Sequence, residues 1–260
     1  VDVSIFVAVA SILHAKGVAL DERILIALIS AVLIHSSMDV YNDIADLPID
    51  MHVKKSSPLV TGELSIRGAY VYMCILLLFG LMLAWYAGYT FFYLSVMGLT
   101  VGVAYSHPRV RLKDRPWISA IFVLGFAIEG LGVWSIYDAI SSDGILFCLH
   151  IFILILSLVY LKDWKDIEGD RSSLPLAYGR KKAININISL MMIPIASFMY
   201  LITRYSWIAL LSFLVYAFFA WHCVRILRSD PVALGDKLKN KMILAMIGPN
   251  LTFGAIFFVA

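Results

Sequence analysis

The sequence predicts an all-α, polytopic membrane protein: nine transmembrane helices around a central cavity, with polar loops gathered on the cytoplasmic side. Three observations lead there. Of the 260 residues, 61% are hydrophobic and 15% charged, whereas a water-soluble domain carries about 25% charged residues; the mean hydropathy is +0.87. Nine segments are long and apolar enough, or nearly so, to cross a hydrocarbon layer of about 30 Å. The polar linkers between them are long on one side and short on the other.

The first span, 1–16, opens on a valine within an apolar run, so the covered sequence is expected to begin inside its first helix. No signal-peptide pattern of basic, apolar and small-residue cleavage regions is read there. The second span, 22–45, runs directly into an acidic stretch. Gly88 divides the next long apolar run into 66–87 and 89–104, and the spans 117–138, 144–161, 183–202, 205–225 and 241–260 follow. Gly17, Asp21 and Gly144 mark tight returns. The linkers 46–65, 105–116, 162–182 and 226–240 then share one side. The other side holds short turns near 17–21, 88, 139–143 and 203–204. Only Lys16, Arg23 and Arg204 of the 21 Lys and Arg belong to the short-turn side, which places the long linkers in the cytoplasm by the positive-inside rule. Cys74, Cys148 and Cys223 lie far apart in apolar segments, a spacing that supports neither a cysteine zinc site nor a disulfide framework.

The chemistry is concentrated in two acidic runs. The second span leads into Asn42, Asp43, Asp46 and Asp50, and the sixth into Asp163, Asp166 and Asp170, so that D-x-x-D-x-x-x-D occurs twice in one register. On a helix, positions three or four apart share a face, so each run can converge on a point. Pro48 is expected to bend or end the first helix near Leu47 and leave Asp50 on a loop or kinked turn. Carboxylates at a hydrocarbon boundary are costly unless compensated. Oxygen-only, sulfur-free clusters suit Mg²⁺, which favours a few carboxylates together with water and substrate phosphate. Two such clusters face to face would clamp a diphosphate. The competing reading, solvated charges at helix ends, does not account for the repeated register.

Cations accompany the acids. Lys54 and Lys55 follow the first run; Arg109, Arg111, Lys113 and Arg115 fill the next linker; Lys162 and Lys165 flank the second run. Arg111, Lys113 and Lys162 interrupt the apolar spans most closely and are the best placed to stabilise a diphosphate leaving group. Arg67 and the 109–115 cluster are further anion-binding candidates. Tyr41, Tyr105, Tyr160 and Trp164 lie within a few residues of the polar clusters and could face an allylic cation, although aromatic residues at membrane boundaries are more often packing or interfacial.

These residues resemble the signatures of the UbiA superfamily of intramembrane prenyltransferases. Asn42 through Asp50 is similar to N-D-x-x-D-x-x-x-D, and Asp163 through Asp170 to D-x-x-D-x-x-x-D. Lys54 through Gly62 resembles the basic R-P-L-x-x-G loop, with Ser57 where Arg is common. Tyr105-Ser106-His107-Pro108 with Arg111-Leu112-Lys113 is similar to Y-S-x-P-x-x-x-L-K. The resemblance implies one transmembrane prenyltransferase domain over 1–260, in the cell membrane, with active-site loops facing the cytoplasm. It implies that Mg²⁺, as two ions bridging the diphosphate, is held by Asn42, Asp43, Asp46, Asp50, Asp163, Asp166 and Asp170. Asn42, Lys54, Lys55, Arg67, Arg111, Lys113 and Lys162 would bind the diphosphate, and Asp46, Asp166, Tyr105 and Lys162 would be catalytic.

The expected reaction transfers a polyprenyl group, for example from geranylgeranyl diphosphate, to a lipophilic acceptor, first of all an aromatic ring of quinone or related biosynthesis. The alternative is geranylgeranyl transfer to a geranylgeranylglyceryl phosphate acceptor in archaeal membrane lipid synthesis. A cation-coupled transporter also hides carboxylates in helices, but its sites normally lie near the midplane rather than beside basic linkers. Membrane lipids are expected partners and nucleic acid is not; the oligomeric state is left open.

Three smaller expectations concern the membrane interior. Glu129, in the middle of the fifth span, is a functional candidate because it cannot snorkel to water, serving either an acceptor or an internal hydrogen-bond network. His35 and Asp39, one turn apart, are expected to satisfy each other. Gly125, Gly130 and Gly132 are expected to let backbones approach.

Overall fold

The computed structural model describes residues 1–53, 57–115, 117–165, 167 and 173–255. Among them there is no strand. The α-helices are α1 (Asp2–Ala15), α2 (Arg23–Val53), the short α3 (Pro58–Thr61), α4 (Ile66–Ala87), α5 (Tyr89–Ser106), α6 (Val123–Tyr137), α7 (Ser142–Val159), the short α8 (Leu174–Tyr178), α9 (Arg180–Leu190), α10 (Pro194–Arg228) and α11 (Gly235–Thr252). Three 3₁₀ turns, Leu112–Asp114, Ile118–Phe122 and Tyr160–Trp164, lie at the ends where the polar linkers attach.

Local chemistry explains the helix limits. Ser65 and Ser141 cap α4 and α7, accepting from the amides of Gly68 at 3.0 Å and Gly144 at 3.3 Å. Outward faces are apolar: Leu78, Phe79, Met82 and Trp85 of α4 and Leu214, Phe218 and Trp221 of α10 are exposed. A helix can present such a surface stably only to lipid.

Among the described residues, six helical stretches are long and apolar enough to cross a membrane, where the sequence predicts nine spans. The difference has three sources. α1 has only 14 residues, about 21 Å of helix. α11 starts in a Lys-rich segment and contains Pro249. The expected spans 183–202 and 205–225 fall within one continuous helical stretch, Arg180–Arg228. Yet that stretch is not straight. Ser206 has φ 55° and ψ −131°, and the Phe198 and Tyr216 rings are 5.3 Å apart, although a straight helix would separate them by about 27 Å. The chain therefore doubles back at Ser206, and Tyr216 donates a hydrogen bond to the Met191 carbonyl at 2.6 Å.

A second expectation is corrected at Pro48. α2 does not end near Leu47 but continues through the proline to Val53, which leaves Asp50 on the helix and buried. The missing amide and crowding of a proline are evidently absorbed without breaking this helix.

The two ends of the bundle are chemically distinct. At the short-turn end, Lys16 meets Asp138 at 3.0 Å, Arg23 meets Asp21 at 2.9 Å and Arg204 meets Asp143 at 2.5 Å. Each basic residue there has its own acid, and the Lys16 hydrogen bond holds the Asp138 carboxyl below the usual carboxylate range. The remaining Lys and Arg fall in the long linkers and beside the acidic motifs.

The glycines of α6 divide in role. A Cβ on Gly132 would meet the Phe91 ring at 2.9 Å and one on Gly130 the Cys148 sulfur at 3.3 Å, so both are close-approach positions, as expected. Gly125 differs from the expectation, since a Cβ there meets nothing within 4 Å. Gly132→Ala is expected to lower stability by about 1–3 kcal/mol through overpacking, whereas Gly125→Ala, with open space for its Cβ, is expected to raise it by about 0.5–1 kcal/mol. Thermal unfolding in detergent, followed by size-exclusion fluorescence, compares the two.

Candidate functional site

One face of α2 builds the site. Ala31, Ile34, His35, Met38, Asp39 and Asn42 recur at three- and four-residue intervals and line a pocket of about 420 Å³. Its other walls come from α5 and α6, and it takes in Tyr105, Ser106 and Lys162 beside Asn42. The segments carrying the two acidic motifs thus flank the same end of one pocket.

At that end the first motif is gripped by cations. Lys113 Nζ donates to Asn42 Oδ1 at 2.7 Å and to Asp46 Oδ2 at 2.5 Å, and Arg111 donates to the other Asp46 oxygen at 3.2 Å. Ser106 adds a hydrogen bond to Asn42 Oδ1 at 2.7 Å. Arg111 stands at φ 41°, a left-handed turn that brings both its guanidinium and Lys113 toward α2. Arg111 is also held by Asp114 at 2.8 Å, and that hydrogen bond raises its basicity. Burial pushes the Lys113 ammonium below the ordinary lysine value, against the opposing pull of Asp46.

The second motif approaches through its lysine. Lys162 Nζ donates to the Tyr105 hydroxyl at 3.3 Å and stands over the Phe122 ring at 4.8 Å. Tyr105 in turn lies under Lys113, 6.0 Å from its ammonium. Tyr105 is therefore the link between the two basic groups that border the acidic runs. Asp163 is buried, on a 3₁₀ turn rather than the expected α-helix. The chain tightens at Tyr160, whose hydroxyl donates to the Trp117 carbonyl at 2.9 Å. Asp166, Asp170, Lys54 and Lys55 lie outside the described residues.

Other predicted residues separate. Asn42 and Asp46 share the cation-bearing face, whereas Asp43 is exposed. Arg67 is exposed on the first turn of α4 and does not line the pocket. Trp164 and Tyr160 are packed into the core, and Tyr41 does not line the pocket. His35 does not pair with Asp39 as expected; its Nδ1 meets Asp2 Oδ2 at 2.8 Å. Sequence reading missed two contributors. Ser106 was visible only as part of a motif, and Asp2 carried no local signal at all.

Long helices with exposed apolar faces, and a largely apolar pocket with acidic and basic groups at one end, define the class: a helical membrane protein with a polar site. The chain belongs to the UbiA prenyltransferase family, whose family model matches residues 3–247. A chloroplastic chlorophyll synthase of Avena sativa is 34% identical over 157 residues, which cover 55% of this chain and 41% of that protein. A digeranylgeranylglyceryl phosphate synthase of Thermococcus kodakarensis is 29% identical over 150 residues, covering 55% of this chain and 52% of that one. The chain spans about half the length of the curated relatives it matches. In fold it is similar to a UbiA homolog from Aeropyrum pernix K1, with a TM-score of 0.78, 19% identity and coverage of 98% of this chain and 96% of that one. It is also similar to a UbiA homolog from Archaeoglobus fulgidus bound to GPP and Mg²⁺, with a TM-score of 0.67, 20% identity and coverage of 97% and 95%. The family and the six apolar helices together make it an integral membrane protein.

If Asn42 and Asp46 serve as metal ligands, Lys113, which holds the same oxygens, would compete with the ion. Lys113→Met is expected to tighten Mn²⁺ binding about tenfold in the absence of diphosphate, by removing a like charge from a partly buried cluster. Electron paramagnetic resonance of free Mn²⁺ measures it; unchanged affinity would mean that Asn42 and Asp46 do not take part in a metal site.

Proposed function

We propose that the chain is a Mg²⁺-dependent prenyltransferase that moves a polyprenyl group from its diphosphate to a lipophilic acceptor. The observation that carries this reading is the convergence of Asn42, Asp46, Arg111, Lys113, Tyr105 and Lys162 at one end of an otherwise largely apolar pocket. Such a pocket suits an amphiphile with an anionic head and an isoprenoid tail. Residues 1–260 form one domain of nine spans around this cavity: α1 and α11 complete the bundle and the chain reverses at Ser206. The motif-bearing end faces the cytoplasm, since the opposite end has its few cations individually neutralised.

The donors fit the metal. Asn42 Oδ1 and both Asp46 oxygens already face cationic groups, and with Asp43, Asp50, Asp163, Asp166 and Asp170 the set is made of oxygen alone. Two Mg²⁺ ions bound there would screen the diphosphate and absorb charge as it leaves. Arg111, Lys113 and Lys162, together with Lys54 and Lys55, bind its oxygens and oppose their charge; the exposed Arg67 is left outside this set. Tyr105 and Phe122, with rings 5.1 Å apart, offer aromatic faces to the allylic carbon, each such contact contributing about 0.5–2 kcal/mol. The apolar walls exclude water, which would otherwise capture that carbon in place of the acceptor.

The pocket favours an aromatic ring as acceptor. Beyond Lys162 its lining has no further Lys or Arg among the described residues, while Asp2, Asp39 and Glu129 line it, a poor place for a second phosphate. A geranylgeranylglyceryl phosphate acceptor is the second reading, supported by the similarity to the Thermococcus kodakarensis synthase. Detergent-solubilised protein given geranylgeranyl diphosphate and each acceptor, with products identified by mass, decides between them; substrate flux in vesicles without any prenyl product would instead indicate a transporter. Activity is expected to vanish in EDTA and return with Mg²⁺. Asp46→Asn is expected to lower kcat/KM by about 100- to 1,000-fold, and wild-type turnover in that variant would remove Asp46 from the reaction.

A further inference from the structure

Deeper in the pocket, seven residues and therefore about 10 Å along α2 from Asn42, three helices bring together Asp2, His35 and Glu129. One ligand atom from each lies within 4.8 Å of the others. His35 stands between the two carboxylates: Nδ1 is hydrogen-bonded to Asp2 Oδ2 at 2.8 Å, and Nε2 is turned toward Glu129 Oε2 at 4.0 Å. The Phe126 ring, edge-on at 5.4 Å, braces the imidazole.

Glu129 is what the surroundings leave unexplained. Its side chain is 6% exposed, it faces the pocket, and neither oxygen has a hydrogen-bond partner among the described residues. A protonated His35 would satisfy Asp2 yet leave Glu129 in this position, because 4.0 Å is beyond hydrogen-bond reach. Two carboxylates inside a membrane helix bundle also carry more negative charge than one imidazolium neutralises.

We propose that Asp2, His35 and Glu129 form a second metal site, separate from the aspartate motifs, for a borderline divalent ion of the zinc or cobalt class. His35 Nε2 and Glu129 are the protein ligands, and Asp2 orients the imidazole through Nδ1, the carboxylate–histidine–metal arrangement that fixes the tautomer and raises ligand basicity. Tetrahedral bonding at about 2.0–2.1 Å requires a ligand separation of about 3.4 Å, so a small rotation of the Glu129 side chain closes the observed gap. The nitrogen ligand selects zinc or cobalt over magnesium. A divalent ion balances the two carboxylates, and its open positions face the pocket, where a water or an oxygen of a bound molecule would complete the shell.

The test is direct and does not depend on turnover, so it is independent of the prenyltransferase reading. Solubilised full chain, free of affinity-tag metal, is titrated with Zn²⁺ in excess Mg²⁺, with Asp46→Asn titrated in parallel so that any uptake at the aspartate end is counted separately. One equivalent of zinc is expected in the wild type, with X-ray absorption showing an imidazole nitrogen at about 2.0–2.1 Å. Glu129→Gln, which keeps the shape of the side chain, and His35→Ala are expected to lose that equivalent, and Asp2→Asn to bind it about 10- to 100-fold more weakly. No bound zinc in the wild type, zinc without an imidazole ligand, or the same uptake in all three variants would overturn the site. Should a variant fail to fold, the wild-type absorption spectrum decides alone.

Discussion

Hydrocarbon offers a charged side chain no solvent, so every ionised group in this bundle needs either a partner or a route to an end. The Lys113 ammonium meets the first requirement for the whole motif end. By touching Asn42 and Asp46 together it fixes the linker after α5 against α2, and with Arg111 it allows a run of acids to continue along a helix that the sequence alone would have broken. Pro48 lies two residues beyond Asp46, the nearer of Lys113's contacts, and the helix survives it. The positive-φ turn at Arg111 serves the same end, since it is what lets two successive cations reach the same carboxylate.

From that grip the pocket acquires a direction. Its mouth joins acids to Arg111, Lys113 and Lys162; its middle is walled by Phe122 and Phe126, whose rings lie 6.3 Å apart; its depth holds Asp2, His35 and Glu129. An aromatic series, Tyr105 to Phe122 to Phe126 to His35, runs from one polar zone to the other, with Asp39 on the facing side of α2.

Much of this was legible in the sequence because it follows local rules. The D-x-x-D registers, the Gly88 break, the sorting of cations between long and short linkers and the motif residues Tyr105, Arg111 and Lys113 are all read along the chain, and the structure brings Asn42, Asp46, Tyr105, Arg111, Lys113 and Lys162 together at one end. What the sequence could not convey depends on approach between distant helices. His35 has Asp39 one turn away, but Asp2, 33 residues earlier, is presented at hydrogen-bond distance with better geometry. Gly125 looked like its neighbours Gly130 and Gly132, and only packing distinguishes the one that opens space from those that admit Phe91 and Cys148. The tightening of α7 into a 3₁₀ turn at Tyr160 is likewise set by a partner, the Trp117 carbonyl, 43 residues earlier in the chain.

That last contact bears on the division of labour between the motifs. An α-helical run would carry Asp163 and its successors on one rigid face, as Asn42, Asp46 and Asp50 are carried on α2. Asp163 starts instead on a 3₁₀ turn, and the described residues beside it are set by tertiary contacts: Lys162 on Tyr105, Lys165 on Asp236 at 2.7 Å, and the close seat of Gly235, whose added Cβ would meet the Lys165 backbone at 2.8 Å. Similar acidic registers are thus built on unequal supports. A diphosphate held between them would meet preorganised oxygens from α2 on one side. On the other it would meet the run that begins at Asp163, and two residues beyond Asp163 the chain is seated on α11 through Lys165, Asp236 and Gly235.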